Sequence, residues 1–221
     1  MMTLALPTRR ALLAAIGATP IAATLAPFAF AQQQPAQPLS AADRTDITRV
    51  ETYLNGLRTM SARFLQVADN GATAQGQFYL SRPGKLRLEY DPPVPILLVS
   101  EDRGFLIHYD KNLRSVAYIP INSTPAGLLV RDKIALSGDL TVLAVERGPA
   151  ALRVTVVQTK DPRAGRIMLV FSERPMQLTN WTIIDGQGQT TRVSLADARI
   201  DVQIDPAVFR FNPPAQDRIG D

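Results

Sequence analysis

The 221-residue chain contains no cysteine. Disulfide cross-links, thiol catalysis, zinc–thiolate sites and a lipid-modified N-terminal cysteine are therefore excluded. Histidine is almost as scarce. His108 is the only one, and no nucleophile or second histidine stands near it in sequence. It reads as a surface or satisfied core residue rather than a catalyst or ligand. Gly-x-Ser-x-Gly and Walker-type phosphate loops are missing. Asp185, Asp197, Asp201 and Asp205 are scattered, and no acidic spacing matches a calcium loop or a carboxylate pair. The sequence thus gives no reason to expect an enzyme, a metal site or a cofactor.

A strong charge of one sign is lacking too. The 24 basic and 20 acidic residues leave a net +4, with no basic run and no aromatic–basic interleaving, so nucleic acid is not an expected partner. Only one long apolar run occurs, Ala11–Phe28. Thr8-Arg9-Arg10 precedes it and Ala29-Phe30-Ala31 follows as an A-x-A cleavage site. Residues 1–31 read as a secretory signal of twin-arginine type, cleaved before Gln32. Pro20 and Pro27 interrupt the run and most of its residues are small, which favours removal over a retained anchor. Leu12 stands where twin-arginine signals usually carry Phe, so the general secretory route also remains open. Arg9 and Arg10 are the only charges in this segment, and the remaining 190 residues carry a net +2. That length buries a large core as one domain. The expected product is a soluble periplasmic protein.

What is present is alternation. In Gln77–Ser81 and Lys85–Tyr90, Phe78, Leu80, Leu86, Leu88 and Tyr90 fall on one face, while Lys85, Arg87 and Glu89 fall on the other. Arg82-Pro83-Gly84 breaks the two runs. Gln32–Leu39 reads as a flexible leader. Ser40–Leu57 reads as a helix: Ser40 caps it, Asp43 and Asp46 suit its N-terminal turns, and Ile47, Val50, Leu54 and Leu57 form a stripe. Strands are expected at Met60–Ala68, Thr73–Ser81, Lys85–Tyr90, Ile96–Ser100, Phe105–Tyr109 and Arg114–Ile119. A second helix is expected over Ser123–Ile134, with Pro125 in its first turn and Leu128, Leu129 and Ile134 as its apolar side. Five more strands follow: Leu140–Glu146, Leu152–Thr159, Arg166–Ser172, Leu178–Ile184 and Thr190–Ala196. Eleven consecutive strands and two one-sided helices predict an α+β, mainly β fold. It is a single strongly curved antiparallel sheet with the helices closing its concave side.

In this order and spacing the chain resembles the LolA family of periplasmic lipoprotein carriers. The shared pattern is Phe64-x-Gln66, then Arg82-Pro83-Gly84-Lys85-Leu86-Arg87 with Glu89-Tyr90 and Pro93. It continues through Phe105–Asp110, Pro125-x-x-Leu128-Leu129 and Asp185–Gly188, and ends at Phe209-x-Phe211 and Pro213-Pro214. The resemblance covers nearly all of residues 47–214 and implies an unclosed β-barrel with a helical lid over a hydrophobic cavity. It implies a monomer, with a carrier domain at 40–215 and a tail at 216–221. Such a carrier takes acylated lipoproteins from an ATP-driven inner-membrane complex and passes them to an outer-membrane receptor or directly to the outer membrane. Leu54, Phe64, Phe78, Leu80, Leu86, Leu88, Tyr90, Leu128, Leu129 and Trp181 become the expected cavity and lid residues. As apolar strand and helix positions they read equally well as plain core. Arg82 matches the family's basic residue that hydrogen-bonds the lid over an empty cavity. By itself it reads as a turn arginine. Leu88 stands where some relatives carry an aromatic side chain, the chain stops soon after Pro214 without the extra C-terminal strand of some members, and the twin-arginine-like signal is unusual for the family. A periplasmic lipid sensor and an enzyme acting on an apolar ligand are the competing readings.

Overall fold

Among the described residues, Ser40 and Asp43 open the first regular element with a reciprocal cap. The Asp43 amide donates to Ser40 Oγ at 3.1 Å, and the Ser40 amide donates to Asp43 Oδ2 at 2.8 Å. The helix they open, α1 (Ala41–Gly56), buries Val50 and Leu54. Asp46 on the same helix is also buried, held by Arg147 Nε at 2.6 Å and Arg49 Nη1 at 2.7 Å. The computed structural model describes residues 38–101 and 103–212. The expected signal (1–31), most of the leader, Pro213-Pro214 and the tail lie outside the described residues. Leu39, the last leader residue, packs half-buried against the core.

Eleven strands follow: β1 (Thr59–Ala68), β2 (Thr73–Ser81), β3 (Lys85–Tyr90), β4 (Ile96–Glu101), β5 (Phe105–Asp110), β6 (Ser115–Pro120), β7 (Leu140–Arg147), β8 (Ala151–Gln158), β9 (Gly165–Glu173), β10 (Met176–Asp185) and β11 (Thr190–Ile200). They form one antiparallel sheet in the order β6-β5-β4-β3-β2-β1-β11-β10-β9-β8-β7. Two meanders are joined where β1 pairs with β11, Phe64 opposite Leu195. Among the described residues β6 and β7 are the two edges of the sheet, so the curved sheet stays open. In β3 the alternation is complete: Leu86, Leu88 and Tyr90 are buried, while Lys85, Arg87 and Glu89 are half-exposed. Leu86 faces Leu80 and Leu88 faces Phe78 across the strand pair.

β4 and β5 are apolar on both faces. Leu98 and Leu106 join the main core, whereas Leu97, Val99, Ile107 and Tyr109 form a second cluster on the outer face. The last described segment covers that cluster. A 3₁₀ turn at Pro206–Phe209, capped by Asp205, is followed by Phe211, whose ring lies 5.3 Å from that of Tyr109. Arg87 Nη1 donates to the Val208 carbonyl at 3.1 Å, and the Phe211 amide donates to Glu101.

The second expected helix is shorter than its apolar pattern suggests. A 3₁₀ turn at Ile121–Ser123 comes first, then Thr124 in extended conformation, then α2, only Ala126–Val130. A Cβ on Gly127 would lie 2.3 Å from the Ile121 carbonyl oxygen, so the two turns pack backbone on backbone. Arg131 leaves the helix with ψ 144°, and its carbonyl turns to a tertiary donor in place of a helical one. No helix among the described residues is long and apolar enough to cross a membrane.

Candidate functional site: a clasped lid over an apolar face

Arg82 stands at the end of β2, in the turn to β3. Gly84 closes that turn with φ +80°, a conformation that favours glycine. The turn is fastened on both sides: the Arg82 amide donates to the Arg58 carbonyl at 2.8 Å, and Ser100 Oγ donates to the Gly84 carbonyl at 2.7 Å. Held this way, the Arg82 side chain runs inward and is only 8% exposed. Its guanidinium then satisfies four backbone carbonyls. Nη1 donates to Leu54 and, at 3.2 Å, to Leu57. Nε and Nη2 donate to Arg131 at 2.9 and 2.6 Å, and Nη2 also donates to Asp132 at 3.0 Å. Leu54 and Leu57 end α1, where carbonyls lack helical donors and the macrodipole favours a cation. Arg131 and Asp132 follow α2. One side chain from the sheet thus clasps both helical pieces. Burial lowers the Arg82 pKa, the charge of Arg58 adds to this, and Asp132 opposes it. A guanidinium remains cationic throughout the range proteins tolerate. Lysine, with three donors on a point charge, cannot reproduce this fan.

The ten apolar residues expected at the site all fall in one continuous cluster beneath the clasp, none more than 8% exposed. Leu54 comes from α1, Phe64 from β1, Phe78 and Leu80 from β2, Leu86, Leu88 and Tyr90 from β3, Leu128 and Leu129 from α2, and Trp181 from β10. The Phe64 and Tyr90 rings meet edge to face at 5.0 Å; those of Phe78 and Trp181 lie 5.9 Å apart. Tyr90 donates its hydroxyl to Gln66 Oε1 at 2.7 Å, and burial pushes its pKa up to about 12. Gly76, which sequence reasoning passed over, leaves the space that the Phe64 ring occupies. Its alternation with Phe78 and Leu80 was the available signal.

A cleft of about 580 Å³ opens beside α2, between residues 122–128 and the ends of β7 to β10. Leu128, Leu140, Val156, Ile167 and Ile183 give it apolar lining, and Lys160 and Arg166 also border it. Leu128 is the one expected site residue that lines this cleft. The other nine are packed in the core.

Residues 55–212 match the protein family described as outer membrane lipoprotein carrier protein LolA. The chain belongs to the LolA family. The matched segment contains Arg82 and every expected site residue except Leu54, one position before it. Among LolA relatives, the outer-membrane lipoprotein carrier protein of Methylococcus capsulatus is 32% identical over 185 residues, covering 80% of this chain and 88% of its own. That of Pseudomonas aeruginosa is 30% identical over 187 residues with the same coverage. A solved structure of an uncharacterised conserved protein from Thermus thermophilus covers 78% of this chain and 95% of its own, with a TM-score of 0.49 and 11% identity.

Proposed function

We propose that this protein is a non-enzymatic periplasmic carrier that binds the acyl chains of lipoproteins released from the inner membrane and delivers them to the outer membrane. Its relatives bear the name of outer-membrane lipoprotein carriers, and one structural observation supports the same role here. Arg82 fastens the end of α1 and the segment after α2 over a continuous apolar face by hydrogen bonds alone. Such a lid lifts without breaking a covalent link or a sheet. The ten expected residues then become the acyl-binding surface, with Leu128, buried at 5% exposure, already bordering the cleft.

The energetics require such a device. Burying an acyl chain gains about 0.8 kcal/mol per CH₂ whether protein or membrane provides the apolar surroundings. A carrier must therefore nearly match the membrane without exceeding it. A core that collapses and is clasped when empty weakens net binding, because loading must break the Arg82 bonds. Each hydrogen bond to a charged group is worth about 1.5–3 kcal/mol. Loading then depends on an energy source elsewhere, an ATP-driven inner-membrane complex, and unloading on an outer-membrane receptor or the outer membrane itself. The working form is a monomer. The carrier domain spans 40–215, after a cleaved signal (1–31) and leader (32–39) and before a tail (216–221). The test is to purify the protein from periplasm and identify its N-terminus and its companions by mass spectrometry. An N-terminus near Gln32 and bound acylated lipoproteins are expected. An intact Met1 in the membrane fraction, or no acylated companion, would overturn the reading.

A further inference from the structure

The segment that Arg82 holds after α2 has little regular structure of its own, yet its backbone is not left unpaired. Asn55 of α1 satisfies both backbone groups of Ile134: its Nδ2 donates to the Ile134 carbonyl at 2.8 Å, and its Oδ1 accepts from the Ile134 amide at 2.9 Å. One turn earlier on the same helix face, Glu51 Oε1 accepts from the Leu136 amide at 2.7 Å. Ile134 and Leu136 are 2% and 3% exposed, so these bonds are shielded from water, and losing one leaves a buried polar group unpaired. The junction with the β2–β3 turn is thinner. Apart from the Arg82 side chain it has two backbone bonds, both at 2.8 Å: from the Gly84 amide to the carbonyl of Val130, the last residue of α2, and from the Arg82 amide to the carbonyl of Arg58, just after α1.

We infer that α1 and residues 130–136 are a single rigid lid, stitched by the positioning residues Asn55 and Glu51, which parts from the β2–β3 turn as one body when Arg82 lets go. This rests on the carrier reading only for its purpose: one arginine suffices to hold two chain segments because they are already joined. Without the stitch, releasing Arg82 would free two separate flaps, and a bound acyl chain could lift either alone.

Amide hydrogen exchange on the full mature protein tests this without any cargo, so its outcome is independent of whether acylated companions are found. In Arg82→Leu, the Gly84 amide should exchange at least about tenfold faster than in wild type, while Ile134, Leu136 and the β8 amide of Leu152 keep their protection. In Asn55→Ala the pattern reverses, with Ile134 faster and Gly84 unchanged. Asn55→Asp keeps the acceptor and should restore protection at Ile134. If Gly84, Ile134 and Leu136 accelerate together in Arg82→Leu while Leu152 stays protected, or if Gly84 does not accelerate, the single-body lid is wrong. Should Leu152 also accelerate, the substitution has loosened the whole fold, and wild type in low denaturant decides. Ile134 and Leu136 must then share one opening step, separate from that of Gly84, and a common step for all three overturns the inference.

Discussion

A Cβ on Gly76 would sit 2.1 Å from the Glu89 carbonyl oxygen and 2.6 Å from the Phe64 ring. Neither can retreat easily: Glu89 is paired with Gln77 on one side and Leu97 on the other, and Phe64 is wedged against Tyr90. Gly76→Ala should therefore destabilise the protein by about 1–3 kcal/mol through overpacking, read as a lower melting midpoint. A midpoint equal to wild type would show that the Phe64 pocket has slack. Residues of this kind were only half legible in sequence. Strand parity placed Phe78, Leu80, Leu86, Leu88 and Tyr90 on one face, and the structure keeps them there. Parity puts Gly76 on that same face but does not tell that its use is to admit the Phe64 ring. Arg82 was legible through its family pattern alone, because a turn arginine and an inward clasp have the same local sequence.

Among the elements, α1 was the most readable, since its cap and stripe are local. Its first turn also carries a pH dependence. Hydrogen bonds from the Ser40 hydroxyl and amide, helped by Arg147, hold the Asp43 pKa below its ordinary 3.8. A carboxylate lowered in the folded state stabilises above its unfolded value, and that contribution is lost as pH falls through the folded value. Protection of the first-turn amides of α1 should thus hold above about pH 4 and decline below it. Asp43→Asn should show weaker protection with a flatter profile over the same range. An unchanged profile in Asp43→Asn would mean the cap does not titrate. α2 was the least readable element. Leu128, Leu129 and Ile134 supply an apolar side for a longer helix, but Arg82 and Asn55 compete for the backbone of residues 131–134 and stop the helix at Val130. Such tertiary partners are far away in sequence and leave no local mark. The terminal strap over Leu97, Val99, Ile107 and Tyr109 was unreadable for the same reason.

At the scale of the molecule, the antiparallel meanders followed from turn spacing and alternation, and the open sheet from the family pattern. Whether its concave face is filled or hollow is a matter of packing, which composition does not encode. The structure fills most of it and leaves the cleft beside Leu128. Leu128→Glu should accordingly weaken acyl binding more than it weakens the fold, because a carboxylate there can keep some water. Leu80→Glu, buried at 1% exposure, should unfold the protein. Thermal melting beside acyl-lipid pull-down separates the two. Equal loss of stability would mean that the cleft offers the carboxylate no more water than the core.

The most direct measurement of the central claim is transfer of a labelled acylated lipoprotein from the loaded protein to outer-membrane vesicles. The wild type should deliver its cargo, because re-forming the Arg82 clasp favours the empty, closed state. Arg82→Leu should load as well or better yet deliver slowly, with Arg82→Lys between them, since removing the clasp stabilises the open, loaded state relative to the closed one. If Arg82→Leu delivers at the wild-type rate, Arg82 is a turn residue and the clasped-lid account of this carrier is contradicted.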